Sequence, residues 1–198
     1  MTSKMLNHDI LDFSATETEM QPYLHFSSTD VLQDGLEKEL FDWFESTDAW
    51  GLTEMDFYTQ FEFSLFDVTV PDKLKALLSE NAVEAIVKQF VSICNTSNLT
   101  LVGVTAHKLV DGHKIGVHND YIGDEETHRL VIQINPGWEE SNGGYLMLFG
   151  SEDPEDVQQL IMPIDNSAFG FEISNQSYHA VSRVNNYSRY TLVYTFKA

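Results

Sequence analysis

From about residue 99 the chain is a succession of short runs rich in Val, Ile, Leu, Thr and Tyr, broken by Gly, Asn, Asp and Pro: 99–110, 114–121, 128–135, 144–149, 160–164, 167–173, 177–184 and 189–196. Residues of these types suit a pleated, half-buried surface, and the breakers close each run before a helix can form. About eight strands in about 100 residues predict a sandwich or barrel.

The first half reads differently. In 29–45, Thr29 or Asp30 can cap a helix in which Leu32, Leu36, Leu40 and Phe44 recur at spacing four. Pro71 suits the first turn of a helix through 72–79. Asn81 can cap another over 82–94, with Val83, Ile86, Val87 and Phe90 on its apolar face. Residues 1–60 hold 13 acids and two bases, but nine aromatics crowd between Phe41 and Phe66, more than a disordered acidic tail carries. The reading is one domain: a loose 1–20, a helical and aromatic support over 21–98, and a strand-built core over 99–197. Its fold class is mainly β with α, the helices packed on one sheet.

Composition removes several functions. The net charge is −20, from 31 acids and 11 bases, which argues against nucleic acid and against anionic membranes as partners. The single cysteine, Cys94, excludes a disulfide framework, a thiolate zinc site and an iron–sulfur cluster, and reads as a small core residue. The N-terminus has no apolar run of the secretory kind, and no stretch reaches the roughly 18 apolar residues of a membrane span. The cytoplasm is the expected location.

Five of seven histidines (107, 113, 118, 128 and 179) fall in the strand-rich half. On a strand, His118 and Asp120 would point to one face, side by side. With a third ligand from a distant strand they would occupy one face of a metal octahedron and leave the other open. His-x-Asp alone is a weak signal, and a surface or core histidine is the plain alternative. A second segment adds weight: His179, then ten residues on, Arg189-x-Thr191. Arg189 and Thr191 share one strand face; Tyr190, Leu192 and Tyr194 share the other. Inside a small barrel and without a protein acid as partner, a guanidinium asks for a carboxylate ligand; a surface salt bridge is the plain alternative. His107 and His113 flank the turn before the His118 strand and read as solvated or structural, as does His128 at a loop end. Arg183 has the parity of His179 and could reach a substrate carboxylate or stay ion-paired in solvent.

The order Gly112-x5-His118-x-Asp120, Arg129-Leu-Val-Ile-Gln-Ile-Asn, Gly143-Gly-Tyr-Leu-Met-Leu, Met162-Pro, Phe169-Gly-Phe171, His179-Ala-Val and Arg189-x-Thr191 resembles the Fe(II)- and 2-oxoglutarate-dependent oxygenases, in particular the prolyl-4-hydroxylase-like branch. The resemblance covers roughly residues 99–197. It implies a double-stranded β-helix, or jelly roll. It implies that His118, Asp120 and His179 hold Fe(II), and that Arg189 and Thr191 bind the distal carboxylate of 2-oxoglutarate. It also implies O2 as co-reactant, with ascorbate as a supporting reductant. The activity it implies is hydroxylation of a C–H bond in an amino-acid or peptidyl side chain, with succinate and CO2 as coproducts. A non-catalytic jelly-roll or cupin-like binding protein is the alternative. The chain departs from its relatives at Leu109, where a tyrosine often hydrogen-bonds the cosubstrate; Tyr121, Tyr145 or Tyr187 would have to serve instead. Asp120 stands where related halogenases have a small residue, which favours hydroxylation, or another oxidation that starts from hydrogen abstraction, over halogenation. Acidic loops at Asp124–Glu126, Glu139–Glu140 and Glu152–Asp156 suit a cationic substrate as well as they suit solubility.

Overall fold

The computed structural model describes residues 10–33 and 35–198. Twelve strands join into one curled antiparallel sheet: β1 (Thr16–Glu19), β2 (His25–Ser28), β3 (Gly51–Met55), β4 (Tyr58–Ser64), β5 (Thr100–Leu109), β6 (Ile115–His118), β7 (His128–Gln133), β8 (Leu146–Phe149), β9 (Val157–Ile161), β10 (Ser167–Glu172), β11 (His179–Val181) and β12 (Arg189–Lys197). Their spatial order is β1-β2-β10-β7-β12-β5-β4-β6-β11-β8-β9, with β3 hydrogen-bonded beside β4. Among the described residues two helices accompany them, α1 (Leu36–Ser46) and α2 (Glu80–Cys94), with a 3-10 turn at Leu74–Leu78.

Strand β12 is the spine. It pairs with β5 along its whole length and with β7 from Thr191 to Phe196. Alternation divides its side chains as expected. Tyr190, Leu192, Tyr194 and Phe196 belong to the large core, with Leu40 and Phe44 of α1 and Ile86 and Phe90 of α2. Each such fully buried side chain stabilises the fold by roughly 1.5–3 kcal/mol. A smaller core, including Leu109, Leu146, Leu148, Phe169, Phe171 and Val181, lies inside the curl of the sheet.

All eight anticipated strands are present, and four more precede them. The 21–98 segment is therefore not purely helical: β3 and β4 form a hairpin within it that pairs with β5. The expected loose segment lies partly outside the described residues; from residue 10 onward it is held, with Leu11 buried against Leu32 and β1 paired to β2. Helix α1 starts later than its spacing predicts. Asp30 has φ 53°, and Leu32 is tied to Asn166 through two side-chain hydrogen bonds, so the chain at 29–33 is held away from helix. Ser79, not Asn81, caps α2, its Oγ accepting from the Ala82 N–H. The helix expected at 72–79 is the shorter 3-10 turn. Cys94 ends α2, half-buried against the large core. Among the described residues no helix is long and apolar enough to cross a membrane.

Gly170 is a packing constraint. A Cβ there would lie 2.2 Å from the Phe26 ring, which is fully buried. Gly170→Ala is therefore expected to lower the unfolding free energy by about 1–3 kcal/mol in denaturant titration. Gly103→Ala, with no atom within 4 Å of the added carbon, should change it by less than about 0.5 kcal/mol.

Candidate active site

A cavity of about 310 Å³ opens inside the curl of the sheet. Strand β6 brings His118 to its wall, β11 brings His179, and β12 brings Arg189, Thr191 and Val193. His118 and His179 are paired across the β6–β11 ladder, with ring centroids 4.2 Å apart. Asp120 completes the group: one ligand atom from each of the three residues lies within 4.8 Å of the others.

Asp120 does not reach this position as a strand residue. β6 ends at His118, and Asp120 adopts φ 59° in the turn beyond it. The left-handed backbone, which Asp tolerates better than most residues, swings its carboxylate back toward both rings. The expected grouping forms, but a turn makes it.

The histidine tautomers follow from hydrogen bonding. His118 Nδ1 lies 2.9 Å from the Gly116 carbonyl and His179 Nδ1 lies 2.8 Å from the Ser177 carbonyl. A carbonyl only accepts, so each Nδ1 carries the hydrogen. In the neutral rings each Nε2 is then a lone pair. These lone pairs face the Asp120 carboxylate, at 3.4 Å from Oδ1 for His118 and 3.2 Å from Oδ2 for His179. Three electron-rich atoms converge with no hydrogen between them, and a divalent cation would satisfy all three. Two imidazoles and a carboxylate also form the donor set of an open non-haem iron site.

Arg129 joins this group, although its sequence showed only a place in a strand motif. Its Nη1 lies 2.6 Å from Asp120 Oδ2, and its Nη2 bonds Glu126 Oε2 at 2.5 Å. Burial pushes the Asp120 carboxyl up, but the Arg129 guanidinium beside it opposes this, and the group lies well below the usual carboxylate range. The available signal was scarcity: the chain has three arginines, and a β7 position of the same parity as Val131 faces the cavity.

Arg189 stands apart. It is 5% exposed, and among the described residues no carboxylate comes within ion-pair distance. Its Nε has no hydrogen-bond partner. Burial pushes its pKa down to about 10, so it remains charged at neutral pH. Gly144, at φ 70°, lies beneath it; a Cβ there would approach Arg189 Cδ to 2.9 Å. A buried, unpaired guanidinium beside the Thr191 hydroxyl fits an anionic ligand such as a carboxylate.

The other candidates separate. Tyr145 donates to the Glu140 carbonyl and Tyr187 to the Pro136 carbonyl, and neither lines the cavity. Tyr121 lines an outer vestibule of about 470 Å³. Arg183 does not line the cavity; its Nη1 packs near Gly112. His113 stacks on Phe61, and His128, where the loop before β7 ends, is buried against Phe90. His107, read as solvated or structural, lines the cavity, as do Tyr58, Gln60 and Glu62 of the unanticipated strand β4.

Residues 104–197 match the 2OG-Fe(II) oxygenase superfamily. The chain is 25% identical over 157 residues to the prolyl 3-hydroxylase sudestada1 of Drosophila melanogaster, covering 72% of this chain and 28% of that protein. The chain thus spans under a third of that relative's length. Its fold is similar to a Pseudomonas putida prolyl-4-hydroxylase (TM-score 0.69, 16% identity, 87% of this chain and 91% of that one). It is also similar to a Trichoplax adhaerens prolyl hydroxylase solved with a hypoxia inducible factor peptide fragment (TM-score 0.72, 15% identity, 87% and 83%). Residues 104–197, just under half of the chain, thus belong to the 2OG-Fe(II) oxygenase superfamily. The likeness to the prolyl hydroxylases is one of fold.

The Asp120–Arg129 pair is open to a direct test in metal-free protein. Arg129→Ala leaves a largely buried carboxylate without its cation and is expected to cost about 3 kcal/mol. In an Asp120→Asn background the same change should cost at least about 1.5 kcal/mol less. Urea unfolding of the four proteins measures the coupling.

Proposed function

We propose that this chain is an Fe(II)- and 2-oxoglutarate-dependent hydroxylase of an amino-acid or peptidyl side chain, built on a single double-stranded β-helix (jelly-roll) domain. The observation that carries the reading is the pairing of two features in one cavity: the lone pairs of His118 and His179 converging on Asp120, and an unpaired Arg189 on β12. In this reading His118, Asp120 and His179 hold the iron, and Arg189 with Thr191 holds the distal carboxylate of 2-oxoglutarate.

The bound metal, cosubstrate and O2 supply the oxidising power for C–H hydroxylation, with succinate and CO2 as coproducts and ascorbate as a supporting reductant. The protein supplies position and dryness. Arg189 offers a planar fork to one carboxylate, and the Thr191 hydroxyl can donate beside it. Arg129 keeps Asp120 ionised, so the carboxylate stays available as a donor atom. Leu146, Phe169, Phe171, Val181 and Val193 give the walls an apolar lining that excludes water.

Substrate enters through the vestibule bounded by Phe57, Tyr121, Ile122 and Tyr178. The prolyl hydroxylases among the relatives favour a prolyl side chain in a peptide. Glu126 and Glu152 on the same rim favour cationic residues near the target.

The test is turnover of 2-oxoglutarate over free amino acids and prolyl peptides, with mass spectrometry. Succinate release matched by the gain of one oxygen in a substrate is expected. Arg189→Ala should raise the KM for 2-oxoglutarate by about 10- to 100-fold, the value of one hydrogen bond to a charged group. Arg189→Lys should recover only part of it, with little change in the KM for the oxidised substrate. Succinate release with no oxidised product from any amino acid or peptide would remove the proposed substrate class.

A further inference from the structure

One wall of the cavity has so far no task. Strand β4 presents Glu62 to it, and β5 presents His107. His107 is paired directly with Thr191 of β12 on one side and with Glu62 of β4 on the other. Residues so opposed bring their side chains to about 4.5–5.5 Å at Cβ. The imidazole therefore sits between the hydroxyl that flanks Arg189 and a carboxylate.

That carboxylate is fixed. Glu62 Oε1 accepts from Thr53 Oγ1 at 2.8 Å, and Oε2 accepts from Gln60 Nε2 at 2.6 Å. His107 Nε2 lies 3.9 Å from the same Oε2, too far for a hydrogen bond but close enough for the ring to feel the charge. The His107 ring makes no hydrogen bond among the described residues, and 25% of its side chain is exposed. It is a polar ring in the wall of a ligand cavity, with both nitrogens still available.

We propose that His107 is a further binding residue for the cosubstrate: it donates a hydrogen bond to the carboxylate that Arg189 holds, and it gains a proton as that carboxylate binds. The inference rests on the reading of the cavity given under Proposed function. A neutral imidazole has one N–H and one lone pair, so it can satisfy only one of two flanking carboxylates. Between the charge of Glu62 and a bound carboxylate, the imidazolium is the form that both negative groups favour. The proton comes from solvent.

The surroundings of the ring favour its neutral form. Burial pushes the His107 pKa down to about 4; Glu62 on β4 and Asp120 after β6 oppose this, while Arg129 on β7 and Arg189 on β12 reinforce it. An arriving carboxylate adds a charge that favours protonation. Its binding therefore weakens as pH rises through the pKa of the liganded ring. Leu109 is paired with Arg189 and has no donor to offer. His107 lies two residues away on the same strand face.

The experiment is calorimetric titration of Mn(II)-loaded protein with 2-oxoglutarate and with pyruvate, near pH 6, in two buffers of different ionisation enthalpy. Pyruvate keeps the 2-oxo acid end and lacks the distal carboxylate. Wild-type protein is expected to take up a fraction of a proton with 2-oxoglutarate and none with pyruvate. His107→Ala should weaken 2-oxoglutarate by about 10- to 100-fold and leave pyruvate unchanged. His107→Gln, which keeps an N–H donor, should recover part of that affinity without the proton uptake. Unaltered 2-oxoglutarate binding in His107→Ala, or equal losses for both acids, would overturn the proposal. If wild-type protein does not bind 2-oxoglutarate, or Arg189→Ala binds it normally, the underlying reading of the cavity fails instead.

Discussion

Two backbone carbonyls decide the chemistry of this site. By accepting from the Nδ1–H groups of His118 and His179, Gly116 and Ser177 turn both Nε2 lone pairs toward one carboxylate. Left alone, the three donors repel one another. Their arrangement has a physical rationale once a cation lies among them, and the surrounding fold keeps them from relaxing apart. The β6–β11 ladder sets the two histidines opposite each other. The left-handed turn at Asp120 and the guanidinium of Arg129 hold the carboxylate against both.

The rest of the structure makes this convergence affordable. β12 divides its side chains between a helix-covered core and the cavity, so one strand both anchors the fold and delivers Arg189 and Thr191. Tyr190 and Tyr194 are fully buried on the far face, which fixes the strand about its axis and with it the direction of the guanidinium. Arg189 is a buried cation without an ion-pair partner, a cost a stable fold bears where a ligand repays it.

Much of this was legible in the sequence. The eight strands after residue 99 announced themselves through alternation and breakers, and the β12 faces followed from parity alone. The grouping of His118, Asp120 and His179 could be anticipated from their order, although the strand argument for His118 and Asp120 gave the right neighbours for a wrong reason. What escaped has common causes. β1, β3 and β4 carry polar or half-exposed patterns such as TETE and GLTEM, and their pairing depends on partners far along the chain. The start of α1 was displaced by Asn166, which reaches back across the fold to Leu32. The roles of Arg129 and His107 depend on which residues lie opposite them in neighbouring strands, and no local motif encodes a register.

The most direct measurement is anaerobic titration of Fe(II) into the metal-free protein in the presence of 2-oxoglutarate, followed by visible charge-transfer absorption. Saturation is expected at about one iron per chain, as a single three-ligand site requires. The signal should be lost in folded His118→Ala and His179→Ala variants and kept in Cys94→Ser. Absence of saturable absorption in the wild-type protein, or its persistence in His179→Ala, would contradict the account at its centre.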